Sequence, residues 1–425
     1  MPLNFEFATA GRIIFGSGSM AKAGPAARAL GSKALLVTGM HPERHALLLA
    51  ALASQGITAE NIRVAGEPTV DDASGAAERG RAAGCDFVIG CGGGSVIDLA
   101  KASAALLTNP GDPLDYLEVI GRGQTFSARP APCLAIPTTA GTGSEVTRNA
   151  VLSSPEHGVK VSMRHPAMLP AIAIVDPQLC LAMPPGLTAS TGLDALTQLL
   201  EAFISIKANP LTDGFCRQGL PLAVRSLAKA FHYGSDLQAR EDMSLASLLG
   251  GLALANAGLG AVHGFAGPIG GAFPIAHGTI CAALLPGAMK ANLAALRSRL
   301  SDSPALPKLE EFARMAGCSS ADEGIGWLED LCRQLKVPPL SADGIKPKDF
   351  TALVDKAKQA SSMKGNPVVL SDEELIGILE GASRGARTAE STAETEPDLQ
   401  SRLEHIYPDG PVESRASVIL YGGRK

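Results

Sequence analysis

The segment Val88-Ile-Gly-Cys-Gly-Gly-Gly-Ser-Val-Ile-Asp-Leu-Ala-Lys101 constrains this chain more than any other. An apolar run leads through three glycines into a helix-compatible stretch, which is the pattern of a strand, a tight turn and a helix start. Gly92, Gly93 and Gly94 let backbone N–H groups approach an anion that any Cβ would hold away. Ser95 falls where the free N–H groups and the positive end of the helix dipole attract phosphate. The spacing is neither a Walker loop nor the Gly-x-Gly-x-x-Gly fingerprint. A plain βα connection would look the same.

Its surroundings favour the phosphate loop. Lys33–Thr38, Asp86–Gly90, Pro132–Ile136 and Ala171–Val175 are buried-strand candidates, with Ile62–Ala65 as a fifth. Between them lie Ala-rich helical stretches near 19–30, 42–55, 72–83 and 95–107. Strands alternating with helices mean βαβ units and a mostly parallel sheet covered on both faces. Ligands of such sheets bind at the carboxyl ends of the strands. A second small-residue loop, Pro137-Thr-Thr-Ala-Gly-Thr-Gly-Ser-Glu-Val-Thr147, follows the next strand. Two such loops at successive strand ends suit an extended, phosphate-bearing ligand.

After about residue 185 the strand signal ends. Helical patterns are predicted from Thr188 or Ser190 to about Ser205, then over 210–232, 236–258, 278–300, 307–316, 322–336, 347–361 and 372–384. The expected organisation is an α/β domain over 1–184 and an all-helical domain over 185–385. Residues 386–425 are rich in Thr, Ser, Glu, Arg and Gly, and read as a flexible tail with a helix near 397–406 conceivable.

Composition removes several classes. Hydrophobic residues make up 46% and charged residues 19%, which excludes wholesale disorder. The net charge is −5 and aromatics are 4%, without interleaved bases, so no nucleic acid is expected as a partner. The apolar stretch around 245–287 is broken by glycines, prolines, Asn256 and two histidines, so it is expected to pack inside the protein and not in a membrane. The eight cysteines form no Cys-x-x-Cys pair and read as buried, reduced thiols. With no secretory pattern at the start, the expected location is the cytoplasm.

In the helical half, Asp194 and Gln198 stand at i and i+4, on one helix face. His263 and His277 follow, 14 residues apart in apolar, glycine-rich surroundings, in a chain with eight histidines. One such histidine reads as a satisfied core residue. Two, with a carboxylate at a helix start, suit a divalent metal such as Fe2+, Zn2+ or Mn2+.

With these residues the chain resembles the iron-containing (group III) alcohol dehydrogenase family. The resemblance spans about residues 5–384. It rests on Phe15-Gly16-Ser17-Gly18, Gly66-Glu67-Pro68-Thr69, the triple-glycine loop, Thr138–Thr147, Asp176-Pro177, Gly192–Leu196 and the His263/His277 block. It implies a Rossmann-like nucleotide domain, a helical metal domain in a dehydroquinate synthase-like architecture, and a homodimer. NAD(P) would lie along Gly93, Gly94, Ser95, Thr138, Thr139 and Thr142, with Lys160 near the nicotinamide ribose. A divalent metal, Fe2+ in the first place, would sit on Asp194, Gln198, His263 and His277. Asp194, His263 and His277 would thereby serve catalysis.

Two positions depart from the family pattern. Gln198 stands where a third metal-binding histidine is usual, and Gly267 where a proton-relay histidine is common. Gly39, at the end of the Lys33–Thr38 strand, stands where an acidic residue usually accompanies a preference for NAD. With His41 and Arg44 close by, Gly39 leaves room for a 2′-phosphate. The expected activity is therefore metal-assisted hydride transfer between nicotinamide and a small alcohol or aldehyde. The alternatives are a metal-free NAD(P)-binding protein of low activity, a dehydroquinate synthase-like lyase and a maleylacetate reductase-like enzyme. The lyase would need a Lys/Arg cluster near 194–277, which is absent. The reductase would be expected to change Asp194, which is intact.

Overall fold

The computed structural model describes residues 4–41 and 45–385. The expected tail, the helix near 397–406 and Arg44 lie outside the described residues. Eight strands occur in chain order: β1 (Ile13–Phe15), β2 (Lys33–Gly39), β3 (Thr58–Val64), β4 (Phe87–Gly92), β5 (Cys133–Pro137), β6 (Asn149–Ser154), β7 (Val159–Arg164) and β8 (Ile172–Val175). Four helices lie among them: α1 (Ala23–Arg28), α2 (Ala46–Ser54), α3 (Val70–Ala83) and α4 (Gly94–Thr108).

Six strands form one sheet in the order β1-β8-β5-β4-β2-β3, with every pairing parallel. Alternate residues of each strand feed opposite cores. Ala34, Leu36, Phe87, Ile89, Leu134 and Ile136 pack with α1 and α2. Leu35, Val37, Val88 and Cys133 pack with α3 and α4. Burial on both faces is why these strands read as continuous apolar runs. From β2 the chain moves outward to β3, then returns past β2 to β4 and continues toward the other edge. The order therefore reverses between β2 and β4, and Gly39 and Gly92 both stand at the carboxyl side of that crevice.

Three strands were not evident from the sequence. β1 has only three residues. β6 and β7 form an antiparallel hairpin whose polar residues, among them Asn149, Ser153, Lys160 and Arg164, dilute any apolar run.

Nine helices follow: α5 (Pro185–Ile204), α6 (Pro210–His232), α7 (Leu237–Ala257), α8 (Ala261–Ala272), α9 (His277–Arg299), α10 (Ala305–Met315), α11 (Ala321–Gln334), α12 (Phe350–Gln359) and α13 (Asp372–Arg384). All but α8 match a predicted stretch to within about three residues, given a 3-10 turn ahead of α12. α8 carries Gly264, Gly267, Gly270, Gly271 and Pro268, a composition that opposes a helix. Its first N–H groups are satisfied from elsewhere in the chain. Asn366 Oδ1 accepts from Ala261 N at 3.1 Å and Glu201 Oε1 accepts from Val262 N at 2.7 Å.

The α/β and helical halves share one core, because Ala173 and Val175 of β8 and Val146 pack with α5, α7 and α9. α9 is long and apolar enough to cross a membrane, with 67% of its most apolar window buried inside the protein.

Candidate active site

Both small-residue loops are tied to α4. Lys101 is fully buried, and its Nζ donates to Ser144 O at 2.9 Å and Thr147 Oγ1 at 3.0 Å. Asp98, one turn earlier, accepts from Ser144 Oγ and from Val151 N, the latter at 2.9 Å. Thr138 N donates to Gly92 O at 2.9 Å. A Cβ on Gly94 would lie 2.6 Å from Thr142 Cγ2, and one on Gly93 would lie 3.4 Å from Thr139 Cγ2. Gly93 is the N-cap of α4, so Gly94 and Ser95 form the first turn of a helix facing the second loop. The structure thus brings Gly93, Gly94, Ser95, Thr138, Thr139 and Thr142 together at the strand ends, with Gly39 across the crevice.

Lys160 on β7 is placed beside α8. Its Nζ pairs with Glu67 and would meet a Cβ on Gly270 at 2.7 Å. Thr69, two residues after Glu67, caps α3. The Gly66–Thr69 motif therefore starts a helix and supplies the partner of Lys160. Asp176 explains another pair of motifs, since its carboxylate accepts from the N–H groups of Gly18, Met20 and Gln178.

The second loop continues into the helical half. Gly143 has φ +60°, and a Cβ there would lie 2.4 Å from Gly251 Cα on α7. Glu145, 2% exposed, is pushed up to about 7 by burial, against its own backbone N–H and the charge of Lys101. Its folded value lies above its ordinary 4.5, so the stability it contributes is complete below about 4.5 and is lost as the pH rises through 7. The loss amounts to about 3 kcal/mol. Glu145→Gln should remove this dependence. Urea unfolding from about pH 5 to about pH 8 should show the wild type weakening relative to the variant. Parallel profiles would refute it.

The second cluster lies where α5, α8 and α9 meet. Asp194 Oδ1 is 3.3 Å from His263 Nε2 and 3.8 Å from His277 Nε2. Cys281 Sγ stands 3.9 Å from His263 Nε2 and 3.6 Å from His277 Nε2. These four donor atoms all lie within 4.8 Å of one another. α9 approaches α5 because Gly278 has no side chain, where a Cβ would lie 2.5 Å from Ser190 O. The His277 side chain remains 44% exposed, so one side of the cluster is open.

Ionisation follows the geometry. Burial opposes a charge on Asp194, but the adjacent imidazoles of His263 and His277 hold it below the usual carboxylate range. Burial also works against a charged His263, and is outweighed by Cys281, Asp194 and Glu201, which raise it well above its ordinary value. The neighbouring Cys281 is the largest influence lifting His277 to about 9.

Gln198 lies beside Asp194 on α5. Its Nε2 donates to Asp194 Oδ2 at 3.1 Å, while its Oε1 turns toward α7, 3.1 Å from where a Cβ on Gly250 would stand. In this orientation the N–H group faces Asp194, and the buried Oε1 has no hydrogen-bond partner. Gly267 has no atom within 4 Å of a Cβ built there, so the relay position is open space.

Two residues of the cluster were missed. Glu201 follows Asp194 by seven residues on α5, and its Oε2 accepts from His263 Nδ1 at 2.7 Å. That bond orients the ring and turns Nε2 toward Asp194. Cys281 follows His277 by four on α9. Both spacings place the pairs on shared helix faces and were present in the sequence. Glu201→Ala is expected to weaken metal retention about 10–100-fold, with Glu201→Gln intermediate, as read by competition with a chelator. Equal retention in all three would show that the bond orients nothing.

Residues 10–177 match the Iron-containing alcohol dehydrogenase family, and residues 188–383 match the Fe-containing alcohol dehydrogenase family, C-terminal. The chain belongs to the iron-containing alcohol dehydrogenase family. Alcohol dehydrogenase 4 of Schizosaccharomyces pombe is 35% identical over 382 residues, which cover 87% of each chain. A crystal structure of 1,3-propanediol oxidoreductase superposes with a TM-score of 0.82 at 33% identity, covering 89% of this chain and 100% of that one. Sulfoacetaldehyde reductase from Bifidobacterium kashiwanohense, in complex with NAD+, gives a TM-score of 0.79 at 28% identity, covering 90% and 99%. As a member of the iron-containing alcohol dehydrogenase family, this chain is an oxidoreductase acting on CH–OH groups, with NAD(P) and Fe2+ as its cofactors.

Proposed function

We propose that this iron-containing alcohol dehydrogenase interconverts small, uncharged primary alcohols and aldehydes in the cleft between α4 and the Asp194 cluster. The observation that carries this reading is the convergence of Asp194, His263 and His277 at the open end of the cluster, with Asp194 Oδ1 buried and without a hydrogen-bond partner. An orphaned carboxylate oxygen facing two imidazole nitrogens fits a divalent ion. When bound, the nicotinamide supplies the hydride and the ion supplies Lewis acidity at the substrate oxygen.

The residues of the chain do the rest. Gly93, Gly94, Ser95, Thr138, Thr139 and Thr142 hold the pyrophosphate against the start of α4. Lys160, fixed by Glu67, stands at the ribose. Glu201 holds His263 in register. With Gly267 offering no side chain, the proton reaches the substrate oxygen through water. The open space at Gly39 supports acceptance of a 2′-phosphate, so NADP(H) should serve at least as well as NAD(H). The same reading puts the chain in the cytoplasm, in keeping with cysteines that are all free among the described residues.

The test is NADH and NADPH oxidation on a panel of short aldehydes, for wild type and Gly39→Asp, with the metal content of each preparation measured. Turnover of several aldehydes, lost with the metal, supports the proposal. No turnover by metal-loaded protein would favour a binding protein. A strong preference for NADH that Gly39→Asp leaves unaltered would show that this position does not read the 2′ group.

A further inference from the structure

We infer that Cys281, and not Gln198, is the fourth protein ligand of the metal centre. The inference rests on the assignment of Asp194, His263 and His277 to the ion and extends it. Four tetrahedral donors at ordinary nitrogen, oxygen and sulfur bond lengths stand about 3.3–3.6 Å apart. The separations along Asp194–His263, Asp194–His277, His277–Cys281 and His263–Cys281 are 3.3, 3.8, 3.6 and 3.9 Å. These four of the six edges come within a few tenths of an ångström of that spacing, and the remaining two, Asp194–Cys281 and His263–His277, lie within 4.8 Å.

Each neighbour makes the same assignment. The buried Asp194 Oδ1 has no other partner, and the bond from His263 Nδ1 to Glu201 frees Nε2 to face inward. Gln198 offers N–H to Asp194, and its oxygen lies on the α7 side. The remaining buried cysteines sit elsewhere. Cys332, for example, donates to Ala282 O at 3.5 Å. Cys281 is fully buried yet contacts both imidazoles.

The chemistry of the centre follows. A thiolate in place of an amide or a third imidazole makes the donor set softer and adds one negative charge. That change raises retention of Zn2+ and Co2+ relative to an Asp–His–His–Gln set, and leaves the ion a weaker Lewis acid. Gln198 becomes a positioning residue that orients the second oxygen of Asp194.

The test uses the full-length protein stripped of metal and titrated with Co2+, read by absorption. Wild type should bind one Co2+ per chain and show a near-ultraviolet thiolate-to-cobalt charge-transfer band. Gln198→Ala should keep that band. Cys281→Ser should lose it while still binding Co2+ with visible ligand-field bands, and Cys281→Ala serves should the serine variant not fold. Bound Co2+ without the band in wild type, or a band surviving in either Cys281 variant, would overturn the assignment while leaving the three-residue site standing. If wild type binds no Co2+, both the assignment and the metal site are wrong.

Discussion

Replacing Asp194 with alanine should lower kcat/KM at least roughly 10³-fold, about 4 kcal/mol of transition-state stabilisation. It should also release the ion. Asp194 touches both histidines of the cluster and is the carboxylate on which their alignment converges. Its removal takes away the one carboxylate ligand and its negative charge, and the two imidazoles left behind hold a divalent cation less well. The loss should exceed the 10–100-fold that follows from removing a partner behind a ligand. Metal analysis together with steady-state kinetics checks both halves. A variant that kept its metal and its activity would remove Asp194 from the centre.

The same wall sets a pH dependence. In the metal-free protein His277 titrates at about 9, so an ion entering at neutral pH must displace its proton. Apparent metal affinity should therefore rise with pH through the neutral range, and chelators should strip the protein most readily on the acid side.

Gly94→Val should weaken NAD(P) binding about 100-fold, about 2.7 kcal/mol, with the metal content unchanged. A Cβ at 94 would fall 2.6 Å from Thr142 Cγ2, so the side chain forces the two loops apart and occupies the surface meant for phosphate. Gly75→Ala on α3 is the control, because nothing lies within 4 Å of a Cβ there. It should leave cofactor binding alone. Quenching of protein fluorescence or calorimetry with NADP+ and NAD+ measures the effect. Unimpaired binding in Gly94→Val would place the pyrophosphate elsewhere.

The parallel sheet was legible because its strands are buried on both faces, and runs such as Leu35-Leu36-Val37 or Phe87-Val88-Ile89 have no other simple reading. The β6–β7 hairpin was not, since polar residues interrupt its apolar positions and it is held by long-range contacts such as the bridge between Leu117 and Met163. α8 was hidden for a related reason. Its glycines argue against a helix, and the groups that cap it come from residues 201 and 366. In the centre, Asp194, His263 and His277 stood out by residue type and spacing. Glu201 and Cys281 have the same helical spacing, but a lone glutamate or cysteine on an apolar face carries no signal until the partner helix is in place. Gln198 illustrates the converse. Its i+4 position places it against Asp194, but its amide oxygen lies toward Gly250 on a different helix, which spacing along α5 does not show.

Gly250 and Gly251 are consecutive on α7, and each serves a different neighbour: the first leaves room for the amide of Gln198, the second for the backbone of Gly143. A single peptide unit is therefore the common wall of the nucleotide loop and the metal centre. Such a wall makes the two cofactors thermodynamic partners. A dinucleotide that presses the loop onto α7 bears on the Gln198 amide and through it on Asp194 Oδ2, and a shift of Asp194 on binding an ion bears back on the loop along the same path. Reciprocity fixes the size of the exchange, so the factor by which metal tightens the dinucleotide is the factor by which the dinucleotide tightens the metal.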